Sequence, residues 1–226
     1  DVTVGPLVNL WGFGPEQRAE IVPSDEALLA TKQRVGLDNL RLEGNMLSKK
    51  FPELYVDLST IAKGYGVDVV AELIESHGFT NYLVEIGGEM RLRGIKRTGE
   101  LWAIAIEKPI LDPSGAQRAV HQVVIPKNNA VATSGDYRNY FEADGVRFSH
   151  IIDPETGKPI NHNLVSVTVI HPSSMTADGL STSLMVMGME HGMAFAAKND
   201  LAALFIAKTE NGFDEQFTVK FKQYLK

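Results

Sequence analysis

Asp57, Thr60 and Lys63 fall within seven residues of one another in the stretch Val56–Asp68, VDLSTIAKGYGVD. A carboxylate, a hydroxyl and an ammonium at the mouth of a helix can hold a phosphate and its metal, because free N–H groups and the helix dipole favour anions there. The same three residues also suit an ordinary strand-to-helix turn with a capping hydroxyl and a solvated lysine. Further along, Asp178 and Thr182 stand four apart on a predicted helix and so share a face. With Thr60 they offer only oxygen donors, a set that suits Mg²⁺, which keeps waters and bridges substrate phosphates. A back-bonded threonine and a first-turn aspartate is the plainer use of that pair. His150 precedes Ile151-Ile152-Asp153-Pro154. Its ordinary pKa lies near neutrality, so it can serve as a general base or simply as a satisfied histidine. Ser134 lies in TSGDY, which is not the G-x-S-x-G nucleophile elbow. Thr133-Ser134-Gly135-Asp136 reads as a turn lining a ligand pocket.

These residues need elements to hold them. The run Leu54, Val56, Leu58 reads as extended and leads into a helix capped by Ser59 or Thr60. Ile61, Tyr65, Val69, Val70, Leu73 and Ile74 then recur at helical spacing, and Gly78 ends the helix. Tyr82–Ile86 reads as a strand. Gly87-Gly88 breaks it, marking a bulge or a close backbone approach, and residues 89–94 continue extended. Upstream, residues 1–10 form a buried segment turning at Gly5-Pro6, followed by a Trp11–Pro15 loop folded on something flat, either the core or a ligand ring. Ser24 caps a helix that stops at Gly36, and Gly44-Asn45 turns a hairpin. Downstream, strands cover 102–106 and 120–125, with a loop over 108–119 between them. Asp144-Gly145 turns a second hairpin, DPETG forms a tight turn, and 164–171 is a strand. Helices follow over 173–188 and 189–198, then a strand over 201–207; Phe213–Leu225 carries no assignment. This irregular order favours α+β over a doubly wound sheet.

Composition narrows the classes. The chain has 226 residues, 44% of them hydrophobic and 22% charged, with a net charge of -6. That acidity argues against nucleic acid as the main partner. The absence of cysteine removes disulfides, thiolate metal sites and thiol nucleophiles. No apolar run approaches the ~20 residues of a membrane-spanning helix.

Four segments together resemble the ApbE family of Mg²⁺-dependent FAD:protein FMN transferases: Asp1–Gly14, Val56–Gly94, Ala132–Pro159 and Thr176–Gly188. The resemblance runs over essentially the whole chain. It implies an α+β fold related to a duplicated T-fold, with mixed or antiparallel sheets and packed helices, as a single domain over 1–226 lacking an N-terminal segment. Asp1 matches the last residue of the family's Gly-x-Phe-Asp motif. The resemblance places Asp1, Asp57, Lys63, Gly87, Gly88, Ser134 and Ile151 on FAD. It places Thr60, Asp178 and Thr182 around Mg²⁺, although some members use a backbone carbonyl near Ala62 instead. It makes His150 and Asp178 the catalytic candidates. The implied reaction transfers FMN from FAD to a Thr or Ser hydroxyl of an acceptor protein and releases AMP. The alternatives are an FAD pyrophosphatase and a non-catalytic flavin-binding protein. The implied acceptors are subunits of sodium-pumping NADH:quinone reductase or Rnf-type complexes. The implied location is the periplasm, on an inner-membrane lipoprotein.

Overall fold

The computed structural model describes residues 1–15, 22–110, 119–136, 140–143 and 145–226. In chain order the elements are α1 (Gly5–Leu10), α2 (Asp25–Lys32), β1 (Leu40–Glu43), β2 (Met46–Lys49), α3 (Ser59–Ser76), β3 (Tyr82–Ile86), β4 (Glu89–Arg93), β5 (Ile104–Glu107), β6 (Val120–Val124), β7 (Ala130–Gly135), β8 (Tyr140–Ala143), β9 (Val146–Ser149), β10 (Leu164–His171), α4 (Ser174–Lys198), β11 (Ala202–Thr209) and β12 (Gly212–Phe217). The expected α+β mixture is present. The chain divides into two compact units, Asp1–Leu58 with Asn139–Asn161, and Ser59–Arg138 with His162–Lys226.

The first unit is held by aromatic packing. Trp11 is buried, stacks on Phe148 and donates its indole N–H to the Gly157 carbonyl at 2.9 Å. Phe148 stacks on Phe141, and Phe13 tilts against Phe141. The flat partner expected for the Trp11–Pro15 loop is therefore the core. Gly5-Pro6, expected as a turn, instead opens α1, where proline's fixed φ and missing N–H cost nothing. Ser24 caps α2 as expected, accepting from the Ala27 N–H, but the helix ends at Lys32, short of Gly36. β1 pairs with β2, and β8 with β9, giving both expected hairpins. Asp144, half of the expected Asp-Gly turn, lies outside the described residues. The DPETG turn closes with Gly157 N–H on the Asp153 carbonyl at 2.8 Å. Leu54–Leu58, expected as an extended run, joins no sheet among the described residues.

The second unit is an antiparallel six-stranded sheet in the order β12-β11-β10-β7-β4-β3, with α3 against β3 and β4 and α4 against β7 and β10. β10 is buried along nearly its whole length, as expected of a central strand. Phe221, Leu204, Ile206 and Val124 make part of its core. The Phe213–Leu225 stretch supplies β12 and then a 3₁₀ turn whose Phe221 and Tyr224 are buried. β5 pairs with β6 apart from the large sheet, and residues 111–118 of the loop between them lie outside the described residues.

Two sequence expectations for this unit change. Gly87-Gly88 is the two-residue turn of the β3–β4 hairpin, with φ of 61° and 103°, not a bulge in one strand. Thr133–Gly135 is the end of β7 rather than a turn, and Ser134 pairs with Val167 of β10. The two helices expected over 173–198 are α4, interrupted at Gly188, whose φ is 74°.

The apolar spacing correctly predicts α3 but not its packed face. Tyr65, Val69 and Leu73 are exposed, whereas Gly64, Val67, Asp68 and Ala71 are buried. The reason is the closeness of α4. A Cβ on Gly64 would stand 2.4 Å from the Ser174 carbonyl oxygen and 2.8 Å from Asp178 Cβ. Gly64→Ala should therefore destabilise the fold by about 1–3 kcal/mol through overpacking. Gly66→Ala meets only the Cδ1 of the partly exposed Ile86, at 3.3 Å. It should stay within about 1 kcal/mol of the native chain, helped by alanine's helix propensity. Urea denaturation of both variants checks the contrast.

Candidate functional site

The site in the second unit begins with charge placed along β4. Glu89, Arg91 and Arg93 alternate along the strand and project toward α3. Two strand residues rise ~6.8 Å, and five helix residues ~7.5 Å, so a strand at period two can meet charges spaced along the helix. Lys63 Nζ contacts Glu89 Oε1 at 2.7 Å, Arg91 contacts Asp68 at 3.0 Å and Glu75 at 3.4 Å, and Arg93 contacts Glu75 at 3.3 Å. Tyr82 also donates its hydroxyl to Glu75.

Asp68 does the joining. Its carboxylate accepts the backbone N–H groups of Ser174 and Met175, at 2.9 and 3.0 Å, and the Ser173 hydroxyl. A side chain of α3 thus satisfies donors that open α4. Burial opposes its charge, but those N–H groups, the hydroxyl and Arg91 outweigh it and hold the Asp68 pKa below the usual value.

With α4 fixed, its second turn brings Asp178 onto α3. Asp178 Oδ2 accepts the Gly64 N–H at 2.9 Å, next to Lys63. Burial, opposed by the Gly64 N–H and Lys63 and reinforced by the charge of Glu89, pushes the Asp178 pKa up to about 6. One turn on, the Thr182 hydroxyl donates to Ser134 Oγ at 3.4 Å. The structure thus joins Lys63 and Asp178 through Gly64, and Thr182 with Ser134. A Cβ on Gly87 would lie 3.1 Å from Lys63 Cδ, so the hairpin turn lies over the lysine, while a Cβ on Gly88 would meet open space. Ser59 and Thr60 are the first two residues of α3, inside its first turn and not ahead of it as a cap. Thr60 lies four residues before Gly64 and shares its face.

The remaining candidates lie in the first unit. Asp1 Oδ1 accepts both the N–H and the hydroxyl of Thr3, at 2.8 and 2.7 Å. The Asp57 N–H donates to the Val2 carbonyl at 2.7 Å. His150 sits edge-on to Phe13, ring centroids 6.3 Å apart. Ile151 is buried, with its N–H on Ser149 Oγ and its carbonyl accepting from Ile160.

Among the described residues no three His, Asp or Glu side chains form a ready metal cluster. The donor types present fit Mg²⁺ nonetheless: a buried carboxylate, Asp178, and the hydroxyls of Thr182 and Ser134, all hard oxygens. Glu89, not among the sequence candidates, stands against Lys63. Its Oε2 is buried and has no hydrogen-bond partner. The signal available in the sequence was the run Glu89, Arg91, Arg93 at period two in a strand otherwise carrying Met90 and Leu92.

The profile of the ApbE family matches residues 1–205. The chain belongs to the ApbE family. It is 61% identical over 225 residues to the FAD:protein FMN transferase of Vibrio cholerae serotype O1, covering 100% of this chain and 66% of that relative. The Escherichia coli K12 FAD:protein FMN transferase is 45% identical, with 100% and 64% covered. Among solved structures, the flavin transferase ApbE from Vibrio cholerae aligns with a TM-score of 0.90 at 58% identity, covering 100% of this chain and 70% of that one. The ApbE protein of Thermotoga maritima aligns at 0.85 and 34% identity, with 100% and 72% covered. The chain therefore spans just under two thirds of the length of these curated relatives.

A carboxyl whose folded pKa exceeds its unfolded value binds its proton more tightly when folded. Its contribution to stability is full below its ordinary value of 3.8 and is lost as pH rises through about 6. Asn does not titrate, and its amide oxygen still accepts the Gly64 N–H. In metal-free protein, Asp178→Asn should gain on the native chain between pH 4 and pH 7, by on the order of 2 kcal/mol, and run parallel above that. Urea denaturation at stepped pH measures this; parallel curves throughout would refute the burial assigned to Asp178.

Proposed function

We propose that this chain carries the centre that transfers FMN from FAD to a Thr or Ser hydroxyl of an acceptor protein. The observation that supports it most is the α3–α4 junction, where the Gly64 N–H joins the Lys63 end of α3 to the Asp178 face of α4. Curated relatives of the chain are named FAD:protein FMN transferase, which supports the flavin transfer. Lys63, half exposed beside the helix mouth, binds and orients the FAD pyrophosphate. Asp178, Thr182 and Thr60 hold Mg²⁺, which when bound neutralises charge developing on the phosphoryl oxygens.

The acceptor oxygen attacks the phosphorus on the FMN side. A phosphoester P–O bond forms, the pyrophosphate P–O bond breaks, and AMP leaves with the bridging oxygen. The hydroxyl proton passes to a base of this chain, for which His150 and Asp178 are the candidates. The same reading assigns the acceptor to subunits of sodium-pumping NADH:quinone reductase or Rnf-type complexes, and the work to the periplasm on a lipid-anchored protein. Both assignments rest on the resemblance of the motifs.

The full-length gene product, incubated with FAD, Mg²⁺ and an acceptor domain, should add the mass of an FMN phosphoryl group to the acceptor, read by intact mass spectrometry. Asp178→Ala should slow this by a hundredfold or more, on the order expected for lost transition-state charge stabilisation. An acceptor Thr→Ala should abolish it. AMP and free FMN without mass gain would replace the transferase with a pyrophosphatase, and no AMP at all would leave a flavin-binding protein.

A further inference from the structure

Glu89 is 3% exposed, and its two oxygens are treated unequally. Oε1 takes the Lys63 ammonium at 2.7 Å, while Oε2 is buried with no hydrogen-bond partner. A buried carboxylate oxygen left without a partner is among the costlier arrangements in a protein interior, and one ion pair on the other oxygen does not remove that cost. A structural counter-ion for Lys63 would not need such burial, because Lys63 itself is half exposed. The hairpin turn closes over both groups: a Cβ on Gly87 would stand 3.8 Å from Oε2 and 3.1 Å from Lys63 Cδ. Lys63 joins Glu89, and the N–H of the next residue, Gly64, joins Asp178, so both carboxylates meet the same turn of α3. Two carboxylates at one turn of α3, with one ammonium held by Glu89, make an acidic group of hard oxygens. That is the chemistry a divalent cation satisfies and a neutral ligand does not.

We propose that Glu89 is a further oxygen donor to the divalent cation assigned to Asp178 and Thr182, offering Oε2 while Lys63 stays on Oε1. The inference rests on the cation centre of the proposed function and extends it to a residue outside that set. Lys63 then has two tasks: it faces the substrate phosphates and it fixes the rotamer of a cation ligand.

The test reads Mn²⁺ bound to the full-length protein by electron paramagnetic resonance titration, with and without FAD and without acceptor. Glu89→Gln keeps the shape and a hydrogen bond to Lys63 but removes the charge. It should weaken Mn²⁺ binding at least about tenfold. Lys63→Met, which releases the second oxygen of Glu89, should bind Mn²⁺ as tightly as the native chain or more so. Asp178→Asn should abolish binding. If Glu89→Gln binds Mn²⁺ as the native chain does while Asp178→Asn does not, Glu89 serves only to anchor Lys63. The inference then falls and the cation centre stands. If the native chain binds no Mn²⁺ with or without FAD, the cation centre falls as well. Anomalous diffraction from Mn²⁺-soaked crystals of the native protein gives a reading that needs no variant to fold. A peak in direct contact with Glu89 Oε2 supports the inference, and a peak on Asp178 away from Glu89 overturns it.

Discussion

The second unit depends on one carboxylate, that of Asp68, set on the N-terminus of α4. A helix start leaves backbone N–H groups without intrahelical partners, and they are normally satisfied by a residue of the same helix. Ser173 does that in part, accepting from Thr176, but two of the N–H groups are taken by a residue of α3. The contact is therefore also a tertiary one. It fixes the axial position of α4 against α3, and through Arg91 it fixes both against β4. Asp178 lies on the next turn of α4, so its place opposite Gly64 follows from the same contact.

Close approach of the helices makes the rest possible. Gly64 has no side chain between the two backbones, which lets its N–H reach the Asp178 carboxylate. Lys63, its neighbour, points instead to Glu89 on the hairpin. The charged ladder on β4 continues this arrangement away from the site, with Arg91 and Arg93 answering Asp68 and Glu75. One helix thus reads two partners at once: small residues toward α4 and charges toward β4.

Much of this was legible in the sequence, and the failures share a cause. The existence of α3, the β3 and β4 strands, the hairpins, the Ser24 cap and the break at Gly188 follow from local chemistry, namely caps, turn glycines and periodicity. That Asp178 and Thr182 share a helix face follows from their spacing, and α4 carries both. What local chemistry does not carry is which neighbour a face meets. Tyr65, Val69 and Leu73 look like a buried stripe, yet the buried face is the one with glycine and alanine, because the partner is a helix at close range. Ser134 looks like a turn residue beside Gly135, but pairing with β10 draws it into a strand. Glu89 reads only as the start of an extended run after a glycine pair, and the fold shows it buried against Lys63.

Burial of these acids has a thermodynamic direction. Asp178 is held near pKa 6 by desolvation and by its like-charged neighbour, so its ionised form carries a cost in the folded chain. A folded protein keeps such a cost where a ligand can repay it. A cation entering this centre would meet carboxylates already stripped of water and held by backbone N–H and ammonium contacts, and its charge would reverse the sign of their mutual effect. The same burial that weakens the metal-free fold would then strengthen ion binding, since any ligand taken up only by the folded state adds its binding free energy to stability. The packing of α3 on α4 thus concentrates the cost of buried charge at Asp178 and Glu89.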